Sequence, residues 1–224
     1  MKKKKRNSST VLLALVFLAG LSLMLYPVVS NYLNSRLQSG VVSGYQEYVE
    51  TTNTEEHIRM ISHAKQYNQM LLERDNSFTL TEDLQQRYNA LLNISGSGMM
   101  GYLEIPCINV TLPIYHGTEE DVLQQAIGHI EWTSLPVGGE STHCVVSAHR
   151  GLPTAVLFTH LDRMEIGDTF YFTILDRTIT YEVELDDQLY TASQQQNVSV
   201  NIPFTAGAKS HEWKDGVGEL FYTP

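Results

Sequence analysis

The run VLLALVFLAGLSLMLYPVV, residues 11–29, holds nineteen residues without a charge. About 20 apolar residues in a helix span the hydrocarbon core of a bilayer. Five basic residues, Lys2 to Lys5 and Arg6, precede it, and no acid occurs before Glu47. Basic flanks stay on the cytoplasmic side, so the reading is an N-terminus inside and the remainder exported. A cleaved signal peptide would carry a shorter apolar region and a small-x-small site. The longer run without such a site predicts an uncleaved, single-pass anchor over residues 1–30, in a cell-membrane protein whose C-terminal domain is extracellular.

Removing the five leading cations from the 15 in the chain leaves 10 against 25 acids, a net charge of −15. Binding to nucleic acid needs a cationic surface for phosphate, so it is excluded as a function. The 224 residues, 42% of them hydrophobic, suffice for one packed domain with appendages. Export would permit a disulfide between Cys107 and Cys144, but the sequence reads them as two separate thiols.

Residues 31–95 read as a helical segment. Ile58, Ile61, Ala64 and Leu71 recur at helical spacing. A second helix is predicted from Leu80 to Leu92, with Leu84, Tyr88 and Leu91 on one face and capping-box spacing between Thr79 and Glu82. NISGSG, residues 93–98, breaks it. From Gly101 the period drops to two. Ile108, Val110, Leu112 and Ile114 mark a strand, as does HCVVSAH. Phe170, Phe172 and Ile174, a turn near Asp176 and Arg177, then Ile179, Tyr181, Val183 and Leu185 predict a hairpin. EEDVLQQAIGHI suggests a short helix between strands. The β body covers residues 96–190. After Leu189 the pattern fails apart from a brief alternation near Val198 to Ile202, so residues 191–224 read as a divergent tail.

The blocks GYLEIPCINVTLPIYHGT, GHIEWTSLPVGGESTHCVVSAHRGLP and LFTHLDRMEIGDTFYF, with LYPVVSNYLNS after the apolar run, resemble class C sortases. These are the pilin-polymerising enzymes of Gram-positive bacteria. The resemblance spans about residues 24–185. It implies a mainly β fold, a sortase-type β-barrel behind a helical N-terminal segment, here incomplete at its C-terminal strands. It also implies a cysteine transpeptidase, without cofactor, that cleaves a Leu-Pro-x-Thr-Gly-type sorting signal of pilin or surface proteins and passes the acyl group to a pilin lysine.

That chemistry needs a thiolate nucleophile, a histidine that protonates the leaving amine and deprotonates the incoming one, and an arginine that steadies the oxyanion or substrate. His149, at a strand end before Gly151 and Pro153, falls on the family's histidine. The family's cysteine lies in a late Thr-Leu-x-Thr-Cys strand followed by arginine. No cysteine follows Cys144 and no arginine follows Arg177. Five residues apart on a strand, Cys144 and His149 point to opposite faces. Cys144 therefore shares its face with Val146 and Ala148 and reads as a buried thiol. Cys107 matches no catalytic position, and Arg150 reads as structural or substrate-facing.

Class C enzymes usually carry an Asp-Pro-aromatic lid. RDNSF offers Asp75 and Phe78 without the proline, so residues 73–80 read either as a lid or as a plain interhelical loop. His116, His129, His143 and His149 lack metal-ligand spacing, and no metal is expected. The Asn-x-Ser/Thr sequons at Asn93, Asn109 and Asn197 read as chance matches, given the bacterial origin that the resemblance implies. Three readings of the whole remain: a transpeptidase by descent that is inactive as this polypeptide, a sorting-signal-binding pseudo-sortase, or a frameshifted or truncated gene product.

Overall fold

The computed structural model describes residues 8–74, 79–94 and 96–183, and the backbone of 200–201, 210–214 and 217–222. Helix α1, Ser8–Thr51, runs 44 residues through Pro27. The apolar run and the first polar residues after it therefore form one rod, about 66 Å long. Its N-terminal part is long and apolar enough to cross a membrane, and none of that part is buried against the body. Further along, one side of α1 docks on the β domain. Val42 and Tyr45 are buried with Met99 and Tyr102. The Tyr45 hydroxyl donates to Met100 O at 2.8 Å and accepts from Leu175 N–H at 2.8 Å.

Helix α2, Thr54–Leu72, starts where the Asn53 side chain accepts from Glu55 N–H at 3.0 Å. Its buried side is His57, Ile61, Ala64, Tyr67 and Asn68. Ile58, expected on that stripe, is exposed, one position out of phase with the stripe that His57 begins. Helix α3, Glu82–Ala90, is capped by Thr81 without a side-chain bond, so the spacing of Thr79 and Glu82 is not realised as a capping box. Tyr88 on α3 is fully buried.

Strands β1, Met99–Ile105, and β2, Val110–His116, pair antiparallel around a 3-10 turn, Pro106–Ile108. Ile108 thus belongs to the turn and not to a strand. Pro106 starts that turn and Asn109 closes it at φ 53°, a left-handed conformation that asparagine tolerates. Helix α4, Glu120–Leu123, carries the chain to β3, Ile127–His129, which runs parallel to β2. Strand β4, Cys144–His149, is antiparallel to β3. The hairpin of β5, Thr169–Ile174, and β6, Arg177–Glu182, packs on β1. Leu185, expected to extend it, lies outside the described residues. At Gly101 a Cβ would run into Thr173 O and Ile174 Cδ1 of β5, so this position admits only glycine at the observed strand spacing.

These six strands form a curled, open mixed sheet, a half-barrel. One core is formed by Leu103, Ile105, Leu112, Ile114, Ile127, Phe158 and Phe170 among others. The tail backbone adds β7, Val200–Asn201, β8, Ser210–Lys214, and β9, Val217–Tyr222, with β9 antiparallel to β4. Charged residues and Gly218 interrupt apolar alternation in β8 and β9, which is why no period of two marked them. β6 and β7 lie at opposite ends of the strand order, and among the described residues no pairing joins them.

Candidate active site

His149 closes β4. Along this strand Cys144, Val145, Val146, Ser147 and Ala148 are all buried, so both faces are covered until the last residue. There the chain turns. Gly151 adopts φ +73°, its N–H donates to Thr159 Oγ1 at 2.9 Å, and Phe158 N–H donates to His149 O at 3.1 Å. The His149 side chain, 19% exposed, sits at the mouth of this corner. Its Nε2 faces Glu120 Oε1 of α4 at 3.7 Å, beyond hydrogen-bond reach, and has no hydrogen-bond partner among the described residues. Gln124 Nε2 holds the same Glu120 oxygen at 2.8 Å. Arg150 reaches Asp162 at 4.0 Å.

The corner is braced from α1. Asn34 Nδ2 donates to Thr154 O at 2.7 Å, and Val156 N–H donates to Asn31 Oδ1 at 3.0 Å. Glu120 had no signal in the sequence, because a β-strand crossover separates it from His149 by 29 positions.

Neither thiol joins His149. Cys144 is 2% exposed and packs in the core with Val146 and Ala148. It lies about 16 Å back along the strand and on the other face. Burial pushes its thiol well above the ordinary value. Cys107 is exposed in the 3-10 turn after β1. Partial burial, and then the Asp168 carboxylate beside it, push its thiol up to about 11. Thiolate nucleophiles need cationic surroundings that lower the pKa, and both sites do the reverse. On β9 the register places Val217 beside His149 and Tyr222 beside Cys144. Asp75 and Phe78, the lid candidates, lie outside the described residues.

Two further histidines, His129 and His116, serve the junction between helices and sheet. His129 is fully buried, its Nε2–H donates to Ser134 O at 2.9 Å, and its Nδ1 lies 3.1 Å from the Tyr88 hydroxyl. His116 Nδ1 and Nε2 lie 2.7 and 2.8 Å from the carbonyls of Gly98 and Leu91. Burial lowers the His116 pKa more than these carbonyls raise it.

A sortase-domain family model matches residues 103–212. The crystal structure of sortase C1 from Streptococcus agalactiae superposes with a TM-score of 0.66 at 32% identity, covering 82% of this chain and 98% of that one. Sortase C from Streptococcus pneumoniae gives 0.62 at 31% identity, covering 83% and 97%. The chain belongs to the sortase family. It is closely related in fold and sequence to the class C sortases of Gram-positive bacteria. Sortase D of Bacillus subtilis is 35% identical over 83 residues, 37% of this chain and 39% of that protein. The chain thus spans well under half the length of that curated relative.

In this sortase, alkylation of the native protein is expected to modify Cys107 and spare Cys144. Cys144 should react only once urea unfolds the chain. Rapid native modification of Cys144 would mean that the β4 core admits reagent, contrary to its packing.

Proposed function

We propose that this chain is a pilin-type cysteine transpeptidase by descent, anchored by α1 with its β domain outside the cell, and that this polypeptide does not catalyse transpeptidation. The single observation that carries the reading is the pairing of β4 with β9. It sets a valine position, Val217, beside the histidine where acyl transfer needs a sulfur. His149 retains the family's place at a strand end and would act on the amine. Its partners, a nucleophilic thiol and an arginine oxyanion donor, have no counterpart in the residues of this chain. Losing one oxyanion donor alone costs about 10²–10³-fold in turnover.

The pneumococcal relative's structure bears on pilin substrate specificity, and class C kinship supports pilin or surface proteins with a Leu-Pro-x-Thr-Gly-type signal as the ancestral substrates. The basic flank before the uncharged run supports the orientation.

The full chain in membranes, mixed with a sorting-signal peptide and a lysine-bearing acceptor, is expected to give no ligated product and no adduct by mass spectrometry. A thioester on Cys107 or Cys144 would overturn the reading. Protease added to intact spheroplasts is expected to digest the β domain; full protection would reverse the assigned topology.

A further inference from the structure

We propose that His116 is a proton-operated clasp. Charged, it fastens the end of α3 and the start of β1 to the end of β2; when it loses its proton, one of the two attachments opens. Both ring nitrogens face carbonyl oxygens. Nδ1 lies 2.7 Å from Gly98 O, one residue before β1, and Nε2 lies 2.8 Å from Leu91 O, just past α3. A carbonyl only accepts, and a neutral imidazole carries a single N–H. Either neutral tautomer therefore sets a bare nitrogen lone pair against an oxygen lone pair at hydrogen-bond distance. Only the imidazolium, with an N–H at each nitrogen, completes both bonds.

His129, its partner in the β2–β3 register, is the contrast. Its Nε2–H donates to Ser134 O and its Nδ1 can accept from the Tyr88 hydroxyl, so the neutral ring satisfies both sides. What His116 spans is a strained turn. Leu92 follows Leu91 at φ 56° and is buried, a left-handed conformation that costs a leucine energy and persists only where neighbours hold it.

The groups around the ring leave the carbonyls in charge of the proton. From α3 the Tyr88 ring meets it edge-on at 4.8 Å, with Tyr67 of α2 behind Tyr88, and His129 stands on β3. Tyr115 packs on the other face of β2, with Tyr45 of α1. The Glu119 carboxylate lies over Gly117, and Glu131 is held by Gln85 at 2.5 Å. Among the described residues neither pairs with His116, whose proton is favoured by the carbonyls of Gly98, Leu91 and Tyr88. Burial outweighs them and lowers the pKa, so the clasp closes on the acid side of neutrality. Global stability runs the other way. Below about pH 6.5 the unfolded chain takes up this proton first, and the fold loses stability as pH falls through the lowered folded pKa. Acid thus closes the contact locally while weakening the fold as a whole.

The test uses the full chain in detergent micelles with 15N-labelled histidine, titrated from about pH 7.5 to about pH 4.5, which brackets the ordinary histidine value. At the top of the range His116 is expected to show one protonated and one bare ring nitrogen, and at the bottom two protonated ones. Over the same interval hydrogen exchange at the amides of Gly98 and His116, corrected for the chemical rate, should slow about tenfold, as one added hydrogen bond from a charged group implies. These amides report on the turn because His116 N–H donates to Gly98 O at 3.0 Å and Gly98 N–H to Asn93 Oδ1 at 2.9 Å. In His116→Gln, whose side chain does not titrate, the slowing should vanish. A ring that stays neutral throughout, or doubly protonated throughout, overturns the switch. So does a slowing that survives in His116→Gln, which would assign it to other titrating groups. If the glutamine variant does not fold, the ring titration of the parent protein decides alone.

Discussion

Replacing Tyr88 with alanine is expected to destabilise the protein by about 3–5 kcal/mol, the range for deleting a fully buried aromatic side chain. Tyr88 joins α3 to the sheet. Its ring meets His116 edge-on at 4.8 Å and stacks on His129 at 5.7 Å. Its hydroxyl accepts from Gly117 N–H at 3.0 Å, and its one proton serves His129 Nδ1 at 3.1 Å or His129 O at 3.0 Å. Tyr88→Phe separates packing from polarity. It keeps the ring but strips the Gly117 amide of its acceptor and the imidazole of its donor, at a cost of about 1–3 kcal/mol. Urea unfolding of both variants measures this. If Tyr88→Phe matches the parent protein, the hydroxyl network contributes nothing and the junction is held by packing alone.

Acid should weaken the same junction. Complete burial pushes the His129 pKa down to about 3, with His116 lowering it further and the bond to Ser134 O pulling it back up. In the unfolded chain a histidine titrates near 6.5. As pH falls below about 6.5 the unfolded chain takes up a proton that folded His129 refuses, so the folded state loses ground. The contribution is complete above pH 6.5 and falls away progressively toward about pH 3, amounting to a few kcal/mol. Carboxylates titrate in the lower part of this window as well, so the comparison that isolates His129 is with His129→Gln. The variant is expected to be less stable at pH 7 yet to show a shallower loss between pH 6.5 and 4.5. An unchanged slope would assign the acid sensitivity to other groups.

Much of the frame could be read from residue order, for reasons that are local. The β5–β6 hairpin follows from two alternating runs separated by two residues. The α2 and α3 helices follow from helical spacing, although apolar spacing points to Ile58 where the buried stripe of α2 holds the polar His57. His149 stood out because a strand ending in His-Arg-Gly presents its last side chain at a rim. The burial of Cys144 followed from strand alternation alone. What stayed hidden is long-range. Tyr88 read as one apolar position among three on α3, and nothing local tells that its hydroxyl meets a histidine 41 positions on. Glu120 reaches His149 only because β2 and β3 run parallel, which brings the α4 crossover over the end of β4. The tail strands borrow their pairing from the edge of β4 and need little periodicity of their own.

On the proposed anchoring, the two asparagines of α1 would set where the histidine corner stands relative to the membrane. Asn31 lies two residues beyond Val29, about 3 Å along the helix axis. It and Asn34 hold Thr154 and Val156, the segment just past His149. With the apolar run in the bilayer, as proposed, that segment would stand at headgroup level. Between the apolar run and this grip the helix continues through Pro27, whose missing N–H removes one backbone hydrogen bond. A polypeptide reaching His149 from solution would have to approach along the lipid surface. On the same proposed anchoring, one whose own C-terminus were still threaded through the membrane would arrive at that height by lateral diffusion in two dimensions.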